Sequence, residues 1–516
     1  MRRSHPVVAP LEARRLLSAI TFAEPGYYPA GLRTPPGHGA EHVAAGDFNG
    51  DGATDLVVAG DDISLLPVVQ HYARVLLGKG DGTFAAPSPS MPVGVNASDV
   101  AVGDFNGDGR LDAVVSEDRD DSLVHVLLGN GDGTFRRAGS FHSGSHSSDL
   151  AVADFNEDGR LDVAVANAAP WTPWDSLAPA FPAGALLLGN GDGTLQRERY
   201  LFTGGRVQHF VEAGDVNGDG HVDTVFAQVV IGPGDFAAPE SLVFASIANM
   251  DLPARPATEV PAAVTGLKLA DLDGDGRLDV AVSAMRDFMG TNGVAATLSG
   301  VGDGRFLAPK LYPVSTAIAN DVAVADFNAD GRPDLAVSGE DGRWGRPMPV
   351  PAVITLENSG GGAFGNGQIF PLPEDAAYPG DLAVGRFNND VLPDVAVALP
   401  GSNQVGVLVN TTKAIVSGPA RLRTVSSVLN SAPLARFAVT GARPTADAFA
   451  VTINWGDGSR PTAGVVVAND DGSFTVLGSH SYRQARIYRV TISIRWPSAE
   501  TARHVSAILR VAPRRG

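Results

Sequence analysis

The sequence contains no cysteine. Disulfide bonds, thiol nucleophiles and Cys-ligated zinc or iron sites are therefore excluded. No stretch approaches about 18 consecutive apolar residues, so we expect no membrane span. Basic residues are few, with 39 Lys and Arg against 57 Asp and Glu, and the net charge of −18 argues against nucleic acid as a partner.

Aromatic residues are also sparse, at 7% of the chain, whereas Gly (61) and Pro (36) are plentiful. Val, Ala and Leu recur in short runs between these turn-forming residues. This composition favours many short strands joined by turns over long helices, which predicts an all-β protein.

The acidic residues are concentrated in a nine-residue segment that recurs every 50 to 61 residues. The second copy, Asp104-Phe-Asn-Gly-Asp-Gly-Arg-Leu-Asp112, shows the pattern. We call these segments the acidic loops, first to seventh, and number their positions 1 to 9. They begin at Asp47, Asp104, Asp154, Asp215, Asp271, Asp326 and, in a worn seventh copy, Arg386.

Each acidic loop has similar neighbours. Apolar runs such as residues 149–153 and 161–166 precede and follow it, and both are typical of short buried strands. A third run ends in a turn with Asn-Gly or Asp-Gly, which supplies the positive φ of a tight hairpin, and a fourth segment follows. Four antiparallel strands in about 55 residues form one propeller blade, so seven units predict a seven-bladed β-propeller.

The seventh unit stops after Val405–Val409 and lacks its fourth strand. Residues 21–31, ahead of the first unit, look like that missing strand. Because an open ring would leave two unpaired sheet edges, we predict that this N-terminal segment pairs with the last blade.

The first six acidic loops are suited to Ca²⁺, a hard cation that takes about six to eight oxygen ligands. Side chains at positions 1, 3, 5 and 9 and the backbone carbonyl of position 7 can converge on one ion, and Gly at position 6 permits the sharp bend. Six Ca²⁺ ions would offset 12 of the 18 net negative charges. The predicted ligands are Asp47, Asn49, Asp51, Ala53, Asp55; Asp104, Asn106, Asp108, Arg110, Asp112; Asp154, Asn156, Asp158, Arg160, Asp162; Asp215, Asn217, Asp219, His221, Asp223; Asp271, Asp273, Asp275, Arg277, Asp279; and Asp326, Asn328, Asp330, Arg332, Asp334.

The seventh loop is predicted to bind no metal, because Arg386 replaces the first ligand and Val391 the bending glycine. The guanidinium of Arg386 would take the place of the ion and pair with Asp390 or Asp394. The alternative for any single loop is a plain turn, since Asp and Asn also cap their own backbone. Six matching loops favour a structural metal.

The seven units resemble the FG-GAP and VCBS repeats of integrin α-subunit propellers and of many bacterial surface proteins, over residues 21–412. The resemblance implies calcium in the inter-strand loops and a role in adhesion or carbohydrate recognition.

Residues 431–516 resemble a PKD-type, immunoglobulin-like β-sandwich, in the stretches 453–459, 479–482 and 488–494. Trp455 and Tyr482 are predicted core residues of that domain, and residues 413–430 are predicted to be a linker. Residues 1–20 form a predicted export or sorting segment. Within it, residues 11–19 resemble a motif of exported planctomycete-type proteins, from which Ala13 departs in place of proline. We therefore expect the protein to be located in the extracellular space or on the cell surface of a bacterium.

Connections between second and third strands lie on the face opposite the acidic loops and carry the variable insertions. Trp171, Trp174 and Trp344 in these insertions are the predicted contacts with a protein or glycan ligand. The alternative is that these aromatic side chains only pack the insertions onto the propeller.

We expect a monomeric binding protein and not an enzyme, because the sequence has no nucleophile elbow, P-loop or HExxH motif. His142 and His146 are interpreted as surface residues. Two alternatives on the same scaffold remain, a carbohydrate-binding lectin and a calcium-dependent polysaccharide lyase or sugar dehydratase. Glycan binding or product formation would discriminate them.

Overall fold

β-strands make up nearly all of the regular secondary structure in the computed structural model. The structure describes residues 20–31, 40–62, 70–168, 182–203, 208–230, 240–246, 256–286, 292–314, 318–341, 350–376, 378–388, 390–412, 415–417, 428–439, 445–469, 473–484, 486–495 and 503–511. None of the helices in these ranges has the length and apolarity needed to span a bilayer.

Backbone contacts separate two compact units. The larger unit comprises residues 22–327 and 331–410, and the smaller one comprises residues 411–516 together with 1–21 and 328–330. Trp171, Trp174 and Trp344 lie outside the described residues, as do residues 1–19 of the predicted export segment.

The larger unit contains strands β1 (Gly26–Pro29), β2 (Ala40–Gly46), β3 (Asp55–Asp62), β4 (Gln70–Leu76), β5 (Met91–Pro92), β6 (Ala97–Gly103), β7 (Asp112–Glu117), β8 (Ser122–Gly129), β9 (Phe135–Gly144), β10 (Ser147–Ala153), β11 (Asp162–Asn167), β12 (Pro182–Leu187), β13 (Arg199–Thr203), β14 (Gln208–Gly214), β15 (Asp223–Val230), β16 (Glu240–Ser246), β17 (Thr258–Val260), β18 (Ala263–Ala270), β19 (Asp279–Met285), β20 (Gly293–Leu298), β21 (Lys310–Pro313), β22 (Ala319–Ala325), β23 (Asp334–Asp341), β24 (Val350–Leu356), β25 (Gln368–Pro371), β26 (Leu382–Gly385), β27 (Asp394–Leu399) and β28 (Gln404–Leu408). A 3₁₀ turn, Pro400–Ser402, joins the last two strands.

These strands form seven antiparallel four-stranded sheets. Six are consecutive meanders, from β2-β3-β4-β5 to β22-β23-β24-β25. The seventh has the order β1-β28-β27-β26, so the N-terminal strand completes the last sheet. Tyr28 is paired with Val405 and Gly26 with Val407. The predicted pairing of the N-terminal segment with the last unit is confirmed.

The first strands of the seven sheets contact one another in chain order. β2 contacts β6, β6 contacts β10, and the series continues through β14, β18 and β22 to β26, which in turn contacts β2. The second strands are the most buried; every residue of β7 and of β11 is buried. Many four-stranded sheets with almost no helix are consistent with a β-propeller-like repeat fold.

Apolar side chains fill the spaces between neighbouring sheets. One core cluster joins Phe105 and Val126 of the second repeat with Leu150 and Val165 of the third. A comparable cluster joins the first and last sheets, and Tyr28 packs against it. Small Val and Ala side chains suit these positions because each sheet is covered on both faces.

The smaller unit contains β29 (Ile415–Ser417), β30 (Val428–Val439), β31 (Ala450–Asn454), β32 (Thr462–Ala463), β33 (Val465–Ala468), β34 (Phe474–Ser481), β35 (Ile487–Arg495) and β36 (Arg503–Arg510), with a 3₁₀ turn at Ala446–Ala448. Its two sheets have the orders β29-β30-β34-β33 and β32-β31-β35-β36 and share one core. β29 lies within the residues that the sequence assigns to a linker.

Trp455 and Tyr482 are buried in this core, with 0% and 5% exposure. The Tyr482 hydroxyl donates to the Trp455 carbonyl at 3.2 Å, and the Trp455 indole N–H donates to Thr462 Oγ1 at 2.9 Å. Their predicted role as core residues is confirmed.

Candidate metal-binding loops

The acidic loops join the first and second strands of the seven sheets. In every loop the Asp at position 9 is the first residue of the second strand, as Asp55 is for β3 and Asp112 for β7. The loop is therefore anchored at one end by a sheet, which fixes where its other oxygens lie.

Position 1 organises the turn through glycine amides. In the second loop, Asp104 Oδ1 accepts the Gly107 N–H at 2.7 Å and Oδ2 accepts the Gly109 N–H at 2.8 Å. Gly109 has φ of +81°, which a side chain at this position would disfavour. The hydrogen bond from the position 6 glycine to the position 1 carboxylate recurs at 2.8–2.9 Å in all of the first six loops.

Positions 3 and 5 hold each other in place. Asn106 Oδ1 accepts the Asp108 N–H at 2.9 Å, and Asp108 Oδ1 accepts the Arg110 N–H at 2.9 Å. The Asn106 amide also donates to Asp108 Oδ2 at 3.1 Å. Side-chain oxygens of alternate residues are thus gathered on one side of the turn.

The fifth loop shows this convergence with carboxylates alone. One oxygen from each of Asp271, Asp273 and Asp275 lies within 4.8 Å of the other two. Asp271 and Asp273 are half-buried and Asp275 is exposed. Three oxygens that converge at the protein surface, with the Arg277 carbonyl following, fit the oxygen-rich coordination that Ca²⁺ takes.

Position 9 has a second role that local sequence reasoning missed. Asp112 is fully buried, and its two oxygens accept the Phe105 N–H at 2.9 Å and the Gly129 N–H at 2.8 Å. Gly129 ends the third strand of the same sheet. The position 9 carboxylate therefore connects its loop to the C-terminal end of β8.

The same arrangement recurs around the chain. The position 9 carboxylates are at most 2% exposed and accept the position 2 N–H in every loop. Burial raises the pKa of Asp55 and of Asp112 to about 6, against the opposing effect of the backbone N–H donors. A carboxylate has about four lone-pair sites, so the two N–H donors at Asp112 leave room for a cation.

We expect Asp112→Ala to destabilise the protein by about 2–5 kcal/mol, because it leaves two buried N–H groups without acceptors. Asp108→Ala, at exposed position 5 of the same loop, is the matched control and should cost less than about 1 kcal/mol in calcium-free buffer. Urea unfolding in EDTA measures both. Equal losses would contradict the anchoring role.

The seventh loop keeps part of this geometry without its first ligand. Asn388 Oδ1 accepts the Asp390 N–H at 3.0 Å, and Asp394 accepts the Phe387 N–H at 2.7 Å and the Asn410 N–H at 2.7 Å. Burial raises the pKa of Asp394 to about 7. Within the described part of this loop, no ion pair forms between Arg386 and either Asp390 or Asp394.

A family model described as FG-GAP-like repeat matches residues 47–115, 113–165 and 271–337. The chain contains FG-GAP-like repeats. The matched segments include the first, second, third, fifth and sixth acidic loops. Comparison with curated proteins gives no significant match.

A separate groove of about 580 Å³ lies between the second and third sheets. It is lined by residues 140–142 of β9 and by residues 195–198 and Tyr200, in and ahead of β13. Tyr200 is 44% exposed. His142 Nδ1 lies 3.1 Å from Glu198 Oε1, and its Nε2 lies 2.9 Å from Asp121 Oδ1. The His142 side chain is 38% exposed. The groove is a candidate ligand site that the sequence did not indicate.

Proposed function

We propose that this protein is a secreted or cell-surface, calcium-binding β-propeller of seven blades that acts as an adhesion or ligand-recognition module. The observation that carries the proposal is the ring of first-strand contacts from β2 round to β26 and back, with one acidic loop in each of its seven sheets. FG-GAP-like repeats are compatible with such a role.

Calcium would be structural in the first six loops. The convergent oxygens at positions 1, 3 and 5 support this, as does the excess of three or four acidic residues per loop over the single Arg or His at position 7 of most loops. Extracellular calcium modules bind with dissociation constants of roughly 10⁻⁴–10⁻³ M, a range that suits surface-exposed loops of this kind. The proposed extracellular location is consistent with calcium at that concentration.

The smaller unit is proposed to be a PKD-like sandwich that works as a spacer or a second binding surface. Its support is the pair of four-stranded sheets around Trp455, together with the resemblance in sequence. We assign it no catalytic role.

The binding role is tested with the fluorescently labelled full chain, applied to bacterial cells and to immobilised polysaccharides in calcium and in EDTA. We expect saturable, calcium-dependent binding without product release. Cleavage of acidic polysaccharides would instead indicate a lyase and would overturn the proposal, as would the absence of any saturable binding.

The groove between the second and third sheets favours carbohydrate as the ligand class. Tyr200 and Phe141 offer aromatic surface, and the exposed Gln196 and Arg197 offer hydrogen-bonding groups, the combination by which proteins commonly bind sugars. The proposed function therefore has a specific second form, a lectin.

Tyr200→Ala should lower glycan affinity by about 5- to 30-fold, because an aromatic contact of this size contributes on the order of 1–2 kcal/mol. Tyr378→Ala is the matched control, since Tyr378 is 61% exposed and does not line the groove. Titration on a glycan array measures both variants. An unchanged affinity for Tyr200→Ala would remove the groove from consideration.

A further inference from the structure

A second set of polar residues lies on the first strands, away from the acidic loops. The residue five places before each loop is His42, Asp99, Asp149, Phe210, Gly266, Asp321 and Asp381 in chain order. Four of these are carboxylates and one is an imidazole. Because the first strands contact one another in a ring, these positions bring charged groups from different sheets together.

Three of the carboxylates are fixed by the neighbouring sheet. Asp99 Oδ2 accepts the Leu150 N–H at 3.1 Å, and Asp149 Oδ2 accepts the Val211 N–H at 2.7 Å. Asp321 Oδ2 accepts the Leu382 N–H at 2.8 Å. The carboxylates therefore have set positions and are not mobile surface side chains.

His42, Asp99 and Asp381 combine an imidazole with two carboxylates at the spacing of metal ligands, and Asp99 also contacts Asp149. One ligand atom from each lies within 4.8 Å of the other two, although the residues belong to three different sheets. His42 Nδ1 lies 2.7 Å from Asp381 Oδ2. The side chains are partly shielded, with exposures of 16% for His42 and 33% for Asp381.

An imidazole makes this group different from a patch of acids. An imidazole ligates a divalent transition metal through a nitrogen lone pair, while the two carboxylates supply anionic oxygen ligands. Lys268, the nearest lysine in the ring, is in contact with Glu212. It also interacts with Asp149 and Asp321, so its single charge is shared among several carboxylates of the ring.

We propose that His42, Asp99 and Asp381 bind one divalent transition-metal ion at the centre of the ring, in a site separate from the acidic loops. Imidazole together with carboxylates favours Zn²⁺ or a similar ion over Ca²⁺, which takes oxygen ligands. Such an ion would link three sheets: the first through His42 of β2, the second through Asp99 of β6, and the last through Asp381, the residue before β26. The site would then secure the ring at the point where the two ends of the propeller sequence meet.

The test uses the full chain, stripped of metal and then saturated with calcium so that the acidic loops do not compete. Zn²⁺ is titrated by calorimetry, and Co²⁺ is used as a spectroscopic probe of nitrogen ligation. We expect one saturable Zn²⁺ per chain. His42→Gln and Asp381→Asn should each weaken binding by more than about tenfold, as loss of even an indirect metal partner does.

The matched control is His146→Gln. His146 also contacts two carboxylates, Asp118 at 2.7 Å and Asp120 at 3.0 Å, but both of these carboxylates are exposed to solvent. Its replacement should leave Zn²⁺ affinity unchanged. Loss of binding in His146→Gln with retention in His42→Gln would show a surface ion only and would overturn the proposal. No saturable Zn²⁺ in the wild type would also overturn it, and would indicate that a protonated His42 alone balances the carboxylates.

A measurement on the unmodified chain covers the case in which the variants do not fold. Zn²⁺ should protect His42 from diethyl pyrocarbonate, as read by mass spectrometry of peptides, and should not protect His146. Equal modification of His42 with and without Zn²⁺ would contradict the site.

Discussion

Chelation of calcium should lower the unfolding midpoint of the larger unit by more than any single substitution in it. A ligand that binds only the folded state stabilises it by about 2.7 kcal/mol when its free concentration is 100 times the dissociation constant. Six proposed sites in one ring act in the same direction. Thermal unfolding in millimolar calcium and in EDTA is the measurement, and a midpoint that does not move would contradict calcium binding.

The acidic loops offer a matched pair of variants for this prediction. Asp275→Asn in the fifth loop and Asp390→Asn in the seventh both remove a position 5 charge and keep the oxygen that accepts the N–H two residues on. In calcium, Asp275→Asn should lose about one sixth of the stabilisation that calcium gives to the wild-type chain. Asp390→Asn should lose none of it, because Arg386 replaces the first ligand. If both variants lose the same amount, the seventh loop binds metal or the fifth does not.

Sequence alone was sufficient where the chemistry is local and repeated. The nonapeptide, its flanking strands and the hairpin turns all lie within about 55 residues, so their pattern predicts the four-stranded sheets that the structure shows. The truncated unit ending at Val409 and the unassigned segment before the first loop were enough to predict the pairing of β1 with β28. A sheet without its edge strand exposes unpaired backbone N–H and C=O groups, and pairing with another segment of the chain removes this exposure.

Sequence was insufficient where the contacts depend on how separate strands are aligned, whether these strands are near or far apart along the chain. The second acceptor role of Asp112 requires Gly129, 17 residues away at the end of another strand. His42 and Asp381 are 339 residues apart and meet only because the first strands form a ring. The groove of Phe141 and Tyr200 likewise depends on how two adjacent sheets pack. No local pattern encodes these distances.

The N-terminal strand carries the second large prediction. β1 is paired along Gly26–Pro29 with β28, the Tyr28 hydroxyl donates to the Gly82 carbonyl at 3.2 Å, and the Tyr28 ring lies 5.2 Å from that of Phe84. A chain that begins at residue 32 loses these contacts and leaves the edge of β28 open. The lost contacts are several backbone hydrogen bonds at about 1 kcal/mol each and one partly buried tyrosine, so we expect the free energy of unfolding to fall by at least about 3 kcal/mol. Because the open edge of β28 can pair with another chain, we also expect the shortened protein to self-associate.

A synthetic peptide of residues 20–31 should restore the stability of the shortened chain, because β1 reaches its place as a separate strand and not through a hairpin. The same peptide with Tyr28→Ala is the control and should restore less, since it keeps the backbone donors but lacks the ring that packs against Phe84. Urea unfolding and light scattering follow the two effects. Full stability of the shortened chain without peptide would mean that the ring holds through its apolar inter-sheet clusters alone. Rescue by the wild-type peptide would show that the last sheet needs this strand to close the ring.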